Sequence, residues 1–201
     1  MKLLIATNNQ GKLKEYQQIL RELLPDLTLL TLREAGINQD VEETGETFEE
    51  NARLKAVEYA ALSGLPVIAD DSGLAVEALG GFPGVHSARW AGPTDAERNR
   101  EILAKLENVP EAERGAKFVC VALCRTPDGR EAMAYGEVLG RIGYEPRGSN
   151  GFGYDPLFVF PERGTTMAEL SSDEKNAISH RGRAARLLAP EVARLLGGIE
   201  S

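Results

Sequence analysis

The chain is predicted to be a mixed α/β protein, with a central sheet flanked by helices, on three observations. Strand and helix patterns alternate through the first third, two long strand-like segments pair around Thr126-Pro127-Asp128-Gly129, and the last third is helical. The hairpin makes the sheet mixed, so a classical all-parallel dinucleotide fold is not expected.

In order along the chain, residues 2–6 form an apolar strand. Thr7-Asn8-Asn9-Gln10-Gly11-Lys12 then turns into a helix with Leu13, Tyr16, Ile19, Leu20 and Leu23 at helical spacing. Residues 27–32 suit a second strand, and residues 40–45 are an acidic loop. Thr47 and Glu50 form a capping box that opens a helix over 48–63, and Gly64-Leu65-Pro66 stops it. Phe48, Ala52, Ala56, Tyr59 and Leu62 are its inward candidates. Residues 67–69 return as a buried strand that closes on Asp70-Asp71-Ser72-Gly73. Gly80-Gly81-Phe82-Pro83-Gly84 is a turn, and a second capping box at Thr94 and Glu97 opens a helix to about Leu106. Residues 116–125 and 130–141 are the hairpin strands. Ser149-Asn150-Gly151-Phe152-Gly153-Tyr154-Asp155-Pro156 is a second glycine-rich loop, followed by an apolar run over 157–160. A third capping box, Ser171 with Glu174, precedes a long helix from about 180 to 196.

The length of 201 residues suits a single domain, 1–201. A net charge of −8, from 23 basic and 31 acidic residues, argues against a broad duplex-binding surface, and no nucleic-acid partner is expected. No segment approaches the roughly 20 apolar residues of a membrane span, and the first apolar run is too short for a signal peptide. No membrane partner is expected. Cys120 and Cys124 share a strand face about 13 Å apart, too far to bridge, so both thiols are expected reduced in a cytoplasmic protein.

Several segments carry chemical groups. Thr7 to Lys12 presents a hydroxyl, amides, a glycine and a lysine where a strand meets a helix, which suits an anion such as phosphate; alone, it also reads as a polar turn with an asparagine cap. Asp70 and Asp71 place hard oxygen donors at the expected strand end, and Glu42 and Glu43 add two more from the acidic loop. Oxygen-only donors point to magnesium or manganese, and with two histidines in the chain a histidine-rich zinc site is not expected. Lys55, read alone, is a solvated lysine paired with a nearby glutamate, and His86 reads as structural. Phe152 and Tyr154 flank Gly153 ahead of Asp155, an arrangement that suits stacking on an unstacked base or a core-forming turn. Lys175, Ser179, His180 and Arg181 supply donors at a helix junction.

Taken in order, these segments resemble the inosine triphosphate pyrophosphatase family. The matching residues are Thr7-Asn8-Asn9-Gln10-Gly11-Lys12, Glu43-Thr44-Gly45 with Phe48 and Glu50-Asn51-Ala52, Ala69-Asp70-Asp71-Ser72-Gly73-Leu74, Phe82-Pro83-Gly84-Val85 with Ser87-Ala88-Arg89, Gly151 to Pro156, and Ser179-His180-Arg181. The resemblance implies two lobes around a long sheet with the active-site cleft between them, a homodimer, and Mg2+-dependent hydrolysis of ITP, dITP and XTP to the nucleoside monophosphate and pyrophosphate. It also implies roles. Thr7, Asn8, Asn9, Gln10, Gly11 and Lys12 would cradle the triphosphate with help from Lys55, and Glu42 or Glu43 would hold the metal with Asp71. Asp71 would act as base for water, Asp70 would support it, and Ser72 would touch substrate. Phe152, Gly153, Tyr154, Asp155, Lys175, His180 and Arg181 would enclose the purine.

Overall fold

The computed structural model describes residues 1–197. Its main elements are β1 (Lys2–Ile5), α1 (Gln10–Leu23), β2 (Thr28–Thr31), α2 (Phe48–Ser63), β3 (Val67–Val76), α3 (Asp95–Lys105), β4 (Gly115–Arg125), β5 (Glu131–Ile142), β6 (Phe158–Phe160), β7 (Thr165–Thr166), α4 (Ser172–Ile178) and α5 (His180–Leu195). The sheet runs β2-β1-β3-β4-β5-β6-β7. It is mixed: β1 pairs in parallel with β2 and β3, whereas β6 pairs antiparallel with β5 and β7. The β4–β5 turn is closed by Thr126 N–H donating to Arg130 O at 2.9 Å and Gly129 N–H to Thr126 O at 3.0 Å.

The predicted capping boxes at Thr47, Thr94 and Ser171 are all formed, each side chain accepting from the backbone N–H three residues on. Gly64 ends α2 in the left-handed conformation that glycine adopts without steric cost. One expectation needs correction. The strand expected over 67–69 continues to Val76, so Asp70 and Asp71 lie inside β3 and not at its end. The continuation is possible because the two buried carboxylates find charged and polar partners, and because Gly73 leaves room for the Gly84 carbonyl and Ser87 Oγ, which a Cβ would strike. The segment over 7–12 turns into a helix as expected: Gln10, Gly11 and Lys12 form the first turn of α1, since the Asn9 side chain caps that helix by accepting from Lys12 N–H.

The chain divides into two compact units. The first comprises Met1–Asp71, Cys120–Gly136 and the described part of His180–Ser201; the second comprises Ser72–Val119 and Glu137–Ser179. In the first unit, strand alternation builds a core on each sheet face. Leu3, Ile5, Ile68, Cys120, Ala122 and Cys124 pack with Tyr16, Ile19 and Leu20 of α1 and with Ala184, Leu188 and Val192 of α5. Leu4, Val67, Ala69, Val121 and Leu123 pack instead with Ala52, Ala56, Tyr59 and Ala60 of α2. The second unit has its own core, around Leu74, Val76, Ile102, Phe118, Tyr154, Phe158 and Met167. Burying each such large side chain stabilises the fold by about 1.5–3 kcal/mol.

No described helix is long and apolar enough to cross a membrane. Both cysteines are buried and unbridged.

Candidate active site

Alternation along β3 decides what the two aspartates touch. Asp70 shares a face with Ile68 and looks toward α1 and α5, whereas Asp71 shares one with Ala69 and looks toward α2. Both are buried, at 2% and 4% exposure, so each needs compensation for its charge.

Asp70 receives it from two cations. Its Oδ2 lies 3.2 Å from Lys12 Nζ and 3.1 Å from Arg181 Nη2, and the Cys120 thiol points to the same oxygen at 3.6 Å. Arg181 also donates through Nη1 to Glu15 Oε2 at 2.6 Å. Burial alone would raise the Asp70 pKa, but Lys12 and Arg181 outweigh it and hold the carboxyl well below the usual range. Burial likewise works against the Arg181 charge, and Asp70 and Glu15 more than restore it. The Asp70 Oδ1 atom is buried and has no hydrogen-bond partner among the described residues.

Asp71 is held by helix α2. Its Oδ2 accepts from Asn51 Nδ2 at 3.1 Å, and its Oδ1 lies 3.6 Å from Lys55 Nζ, which also pairs with Glu43. Asn51 uses its other end to accept the Gly45 N–H at 2.8 Å, tying the acidic loop to the helix. Burial pushes the Asp71 carboxyl above its ordinary value with help from Glu43, against the opposing pull of Lys55 and Lys12. Lys55 is shifted upward: burial disfavours its charge, but Asp71, Asp70 and Glu43 together favour it. Of the two candidate glutamates, Glu43 joins this group, while Glu42 is exposed.

At the start of α1, Thr7 Oγ1 accepts from Asn9 N–H at 3.2 Å, and Asn8 donates to Asp40 at 3.2 Å. The N–H groups of a helix's first turn have no acceptor within the helix, so Gln10 and Gly11 present donors beside the Lys12 charge. Ser72, the next residue of β3, is partly buried, and His180 is buried as the first residue of α5.

In the second unit, the loop over 151–155 is built around Asp155, which is buried, pairs with Lys175 and accepts from Phe152 N–H at 2.9 Å. Lys175 Nζ lies 4.6 Å from the centroid of the half-buried Phe152 ring, within cation–π range. Tyr154 lies in the core; its hydroxyl donates to Ser87 O at 2.7 Å and accepts from Trp90 Nε1 at 2.7 Å.

Four residues outside the sequence-derived set contribute here. Asn51 precedes Lys55 by four residues on one face of α2, and Glu15 follows Lys12 by three on α1, so helical spacing from an already suspected lysine would have found both. Asp95 and Asn99 stand four apart at the start of α3. Nothing local in the sequence ties them to the loop over 151–155, which Asn99 Nδ2 and Asp95 Oδ2 both contact.

Glu43 and Asp71 are hard oxygen donors gathered around one ammonium group, a set that suits magnesium better than zinc. Among the described residues, no three His, Cys, Asp or Glu side chains form a complete metal cage. A pair of carboxylates nevertheless fits magnesium, which usually takes one or two protein carboxylates and completes its shell with water and substrate phosphates.

The chain as a whole is similar to known proteins. The model of the Ham1 family matches residues 3–191. A dITP/XTP pyrophosphatase of Geobacter sulfurreducens is 52% identical over 190 residues, covering 93% of this chain and 94% of that protein. One of Symbiobacterium thermophilum is 47% identical over 186 residues, covering 91% and 90%. Among solved structures, a HAM1 protein from Coxiella burnetii superposes with a TM-score of 0.85 at 43% identity, covering 96% of this chain and 99% of the other.

Proposed function

The chain belongs to the Ham1 family, and from that premise we propose that it hydrolyses the non-canonical purine nucleoside triphosphates ITP, dITP and XTP to the nucleoside monophosphate and pyrophosphate. The observation that carries this reading is the division of Asp70 and Asp71 between two sets of cations, because cleaving a phosphoanhydride demands charge neutralisation and positioned water more than a covalent nucleophile.

In the first unit, the α1 N-terminus with Thr7, Asn8, Asn9, Gln10, Gly11 and Lys12 receives the triphosphate, and Lys55 adds its charge. Asp70 holds Lys12 through an ion pair and is itself fixed by Arg181. Glu43 and Asp71 would hold Mg2+, which when bound neutralises phosphate charge and favours ionisation of water. Asp71 takes the proton from water attacking the α-phosphorus, the bond from that phosphorus to the bridging oxygen breaks, and pyrophosphate leaves.

In the second unit, Phe152 offers a stacking face and Asp155 and Lys175 supply polar contacts to the base. Ser72 of this unit and His180 of the first complete the proposed substrate contacts. Hypoxanthine and xanthine carry an oxygen at position 6, where adenine carries an amino group. Donors aimed at that oxygen would meet another donor in adenine, a mismatch worth on the order of 10⁴-fold in specificity. The working form is proposed to be a cytoplasmic homodimer, which light scattering on the purified protein would test.

Incubation with ITP, dITP, XTP, ATP and GTP in Mg2+, with products separated by chromatography, tests the activity. Monophosphate and pyrophosphate from the first three, at rates far above ATP and GTP, are expected. Orthophosphate with a diphosphate product, or equal rates on all five, would overturn the reading.

A further inference from the structure

The two polar side chains at the start of α3 grip one residue of the loop over 151–155, Gly153, through the peptides on both of its sides. Gly153 N–H donates to Asp95 Oδ2 at 2.7 Å, and Gly153 O accepts from Asn99 Nδ2 at 3.0 Å. Both side chains project from one face of α3 because they are four residues apart. Gly153 has φ +63°, a conformation that glycine alone takes without cost. On the other side, Phe152 N–H is fixed by Asp155 Oδ2 at 2.9 Å. The Phe152 residue is therefore bracketed: the peptide before it is held by Asp155, and the one after it by α3.

The arrangement is costly for a purely structural device. Asn99 is buried, and while its Nδ2 serves Gly153, its Oδ1 has no partner among the described residues. An aliphatic side chain would fill such a position without leaving a buried acceptor unsatisfied, so packing does not account for an amide there. A donor that fixes the Gly153 carbonyl does.

We propose that Asp95 and Asn99 are positioning residues for purine recognition: they fix the two peptides that flank Gly153, and through them the orientation of the Phe152 ring. The inference rests on the functional reading above and deepens its base-binding half. Neither residue touches the base; they act through the loop.

The test is steady-state kinetics of the wild type, Asn99→Leu, Asp95→Ala and Asp95→Asn with ITP and ATP, alongside their melting temperatures. Asn99→Leu and Asp95→Ala should raise KM for ITP about tenfold while kcat stays within about threefold, and should lower the ITP-to-ATP ratio of kcat/KM about tenfold. Asp95→Asn, whose amide oxygen still accepts the Gly153 N–H, should restore most of the ITP affinity. If Asn99→Leu does not fold, Asn99→Ser, too short to span to the Gly153 carbonyl, carries the same expectation. Unchanged KM and selectivity in folded variants, or a loss confined to kcat, would overturn the inference alone. A wild type without activity on ITP would overturn the functional reading and this inference with it.

Discussion

Asp70 and Asp71 are consecutive residues of β3 whose carboxylates serve opposite faces of the sheet: Asp70 is bound to Lys12 and Arg181, and Asp71 to Asn51 and Lys55. The consequence is a division of labour. One carboxylate anchors Lys12 and Arg181, and the other stands beside a lysine and a glutamate with its pKa raised.

Removing the charge of Asp71 should separate chemistry from binding. Asp71→Asn is isosteric and leaves an amide that still meets Asn51, so the fold should hold, while turnover falls about 10²–10⁴-fold. Pyrophosphate release gives the rate and calorimetry with ITP gives affinity; full turnover would remove Asp71 from the role of base.

Arg181 is predicted to be the keystone of the opposite face. Arg181→Met removes a cation shared by the buried Asp70 and Glu15 carboxylates and should cost about 3–5 kcal/mol in denaturant unfolding. Adding Asp70→Asn removes one of the two under-compensated charges, so the double variant should be more stable than Arg181→Met. Equal stabilities would show that Asp70 does not depend on Arg181. Because the folded Asp70 pKa is depressed, its stabilising contribution is complete above the unfolded value of about 4 and is lost on further acidification.

Alkaline pH should destabilise the protein through its buried thiols. Burial first of all pushes Cys120 and Cys124 up to about 12, whereas an unfolded thiol titrates near 8.5. Above about pH 8.5 the unfolded state releases protons that the folded state keeps, so each thiol lowers stability by up to about 1.4 kcal/mol per pH unit. Unfolding free energies from pH 8 to 10 should fall more steeply in the wild type than in a Cys120→Ala, Cys124→Ala variant. Parallel slopes would refute the assignment.

Gly73→Ala should be far more damaging than its single methyl suggests. The new Cβ would strike the Gly84 carbonyl and Ser87 Oγ, and that hydroxyl already accepts Leu74 N–H at 2.9 Å and donates to Gly84 O at 2.6 Å. A loss of about 3 kcal/mol is expected, read from the thermal midpoint with calorimetric enthalpy. A variant as stable as the wild type would mean that this backbone approach relaxes freely.

Local rules carried much of the fold. The capping boxes at Thr47, Thr94 and Ser171 mark real helix starts, because the cap is a contact within four residues and does not depend on the rest of the chain. The end of β3 was not legible in the same way. Asp70-Asp71-Ser72-Gly73 has the composition of a turn, yet the strand continues because Lys12, Lys55 and Arg181, remote in sequence, neutralise its two carboxylates. The short β7 was equally silent, since two residues carry no periodicity.

For the site, the sequence by itself determined the chemical inventory: the carboxylates, the lysines and the glycine-rich loops, with an order and spacing resembling one family of nucleotide pyrophosphatases. Because β3 continues through both, its alternation turns Asp70 and Asp71 to opposite faces. Only the tertiary structure decided which partner each one meets, that Glu43 and not Glu42 reaches Lys55, and that Asp95 and Asn99 hold Gly153. The reason is physical: hydrogen bonds and ion pairs act over about 3 Å, and the residues that satisfy those contacts here lie from 12 to 111 positions apart along the chain.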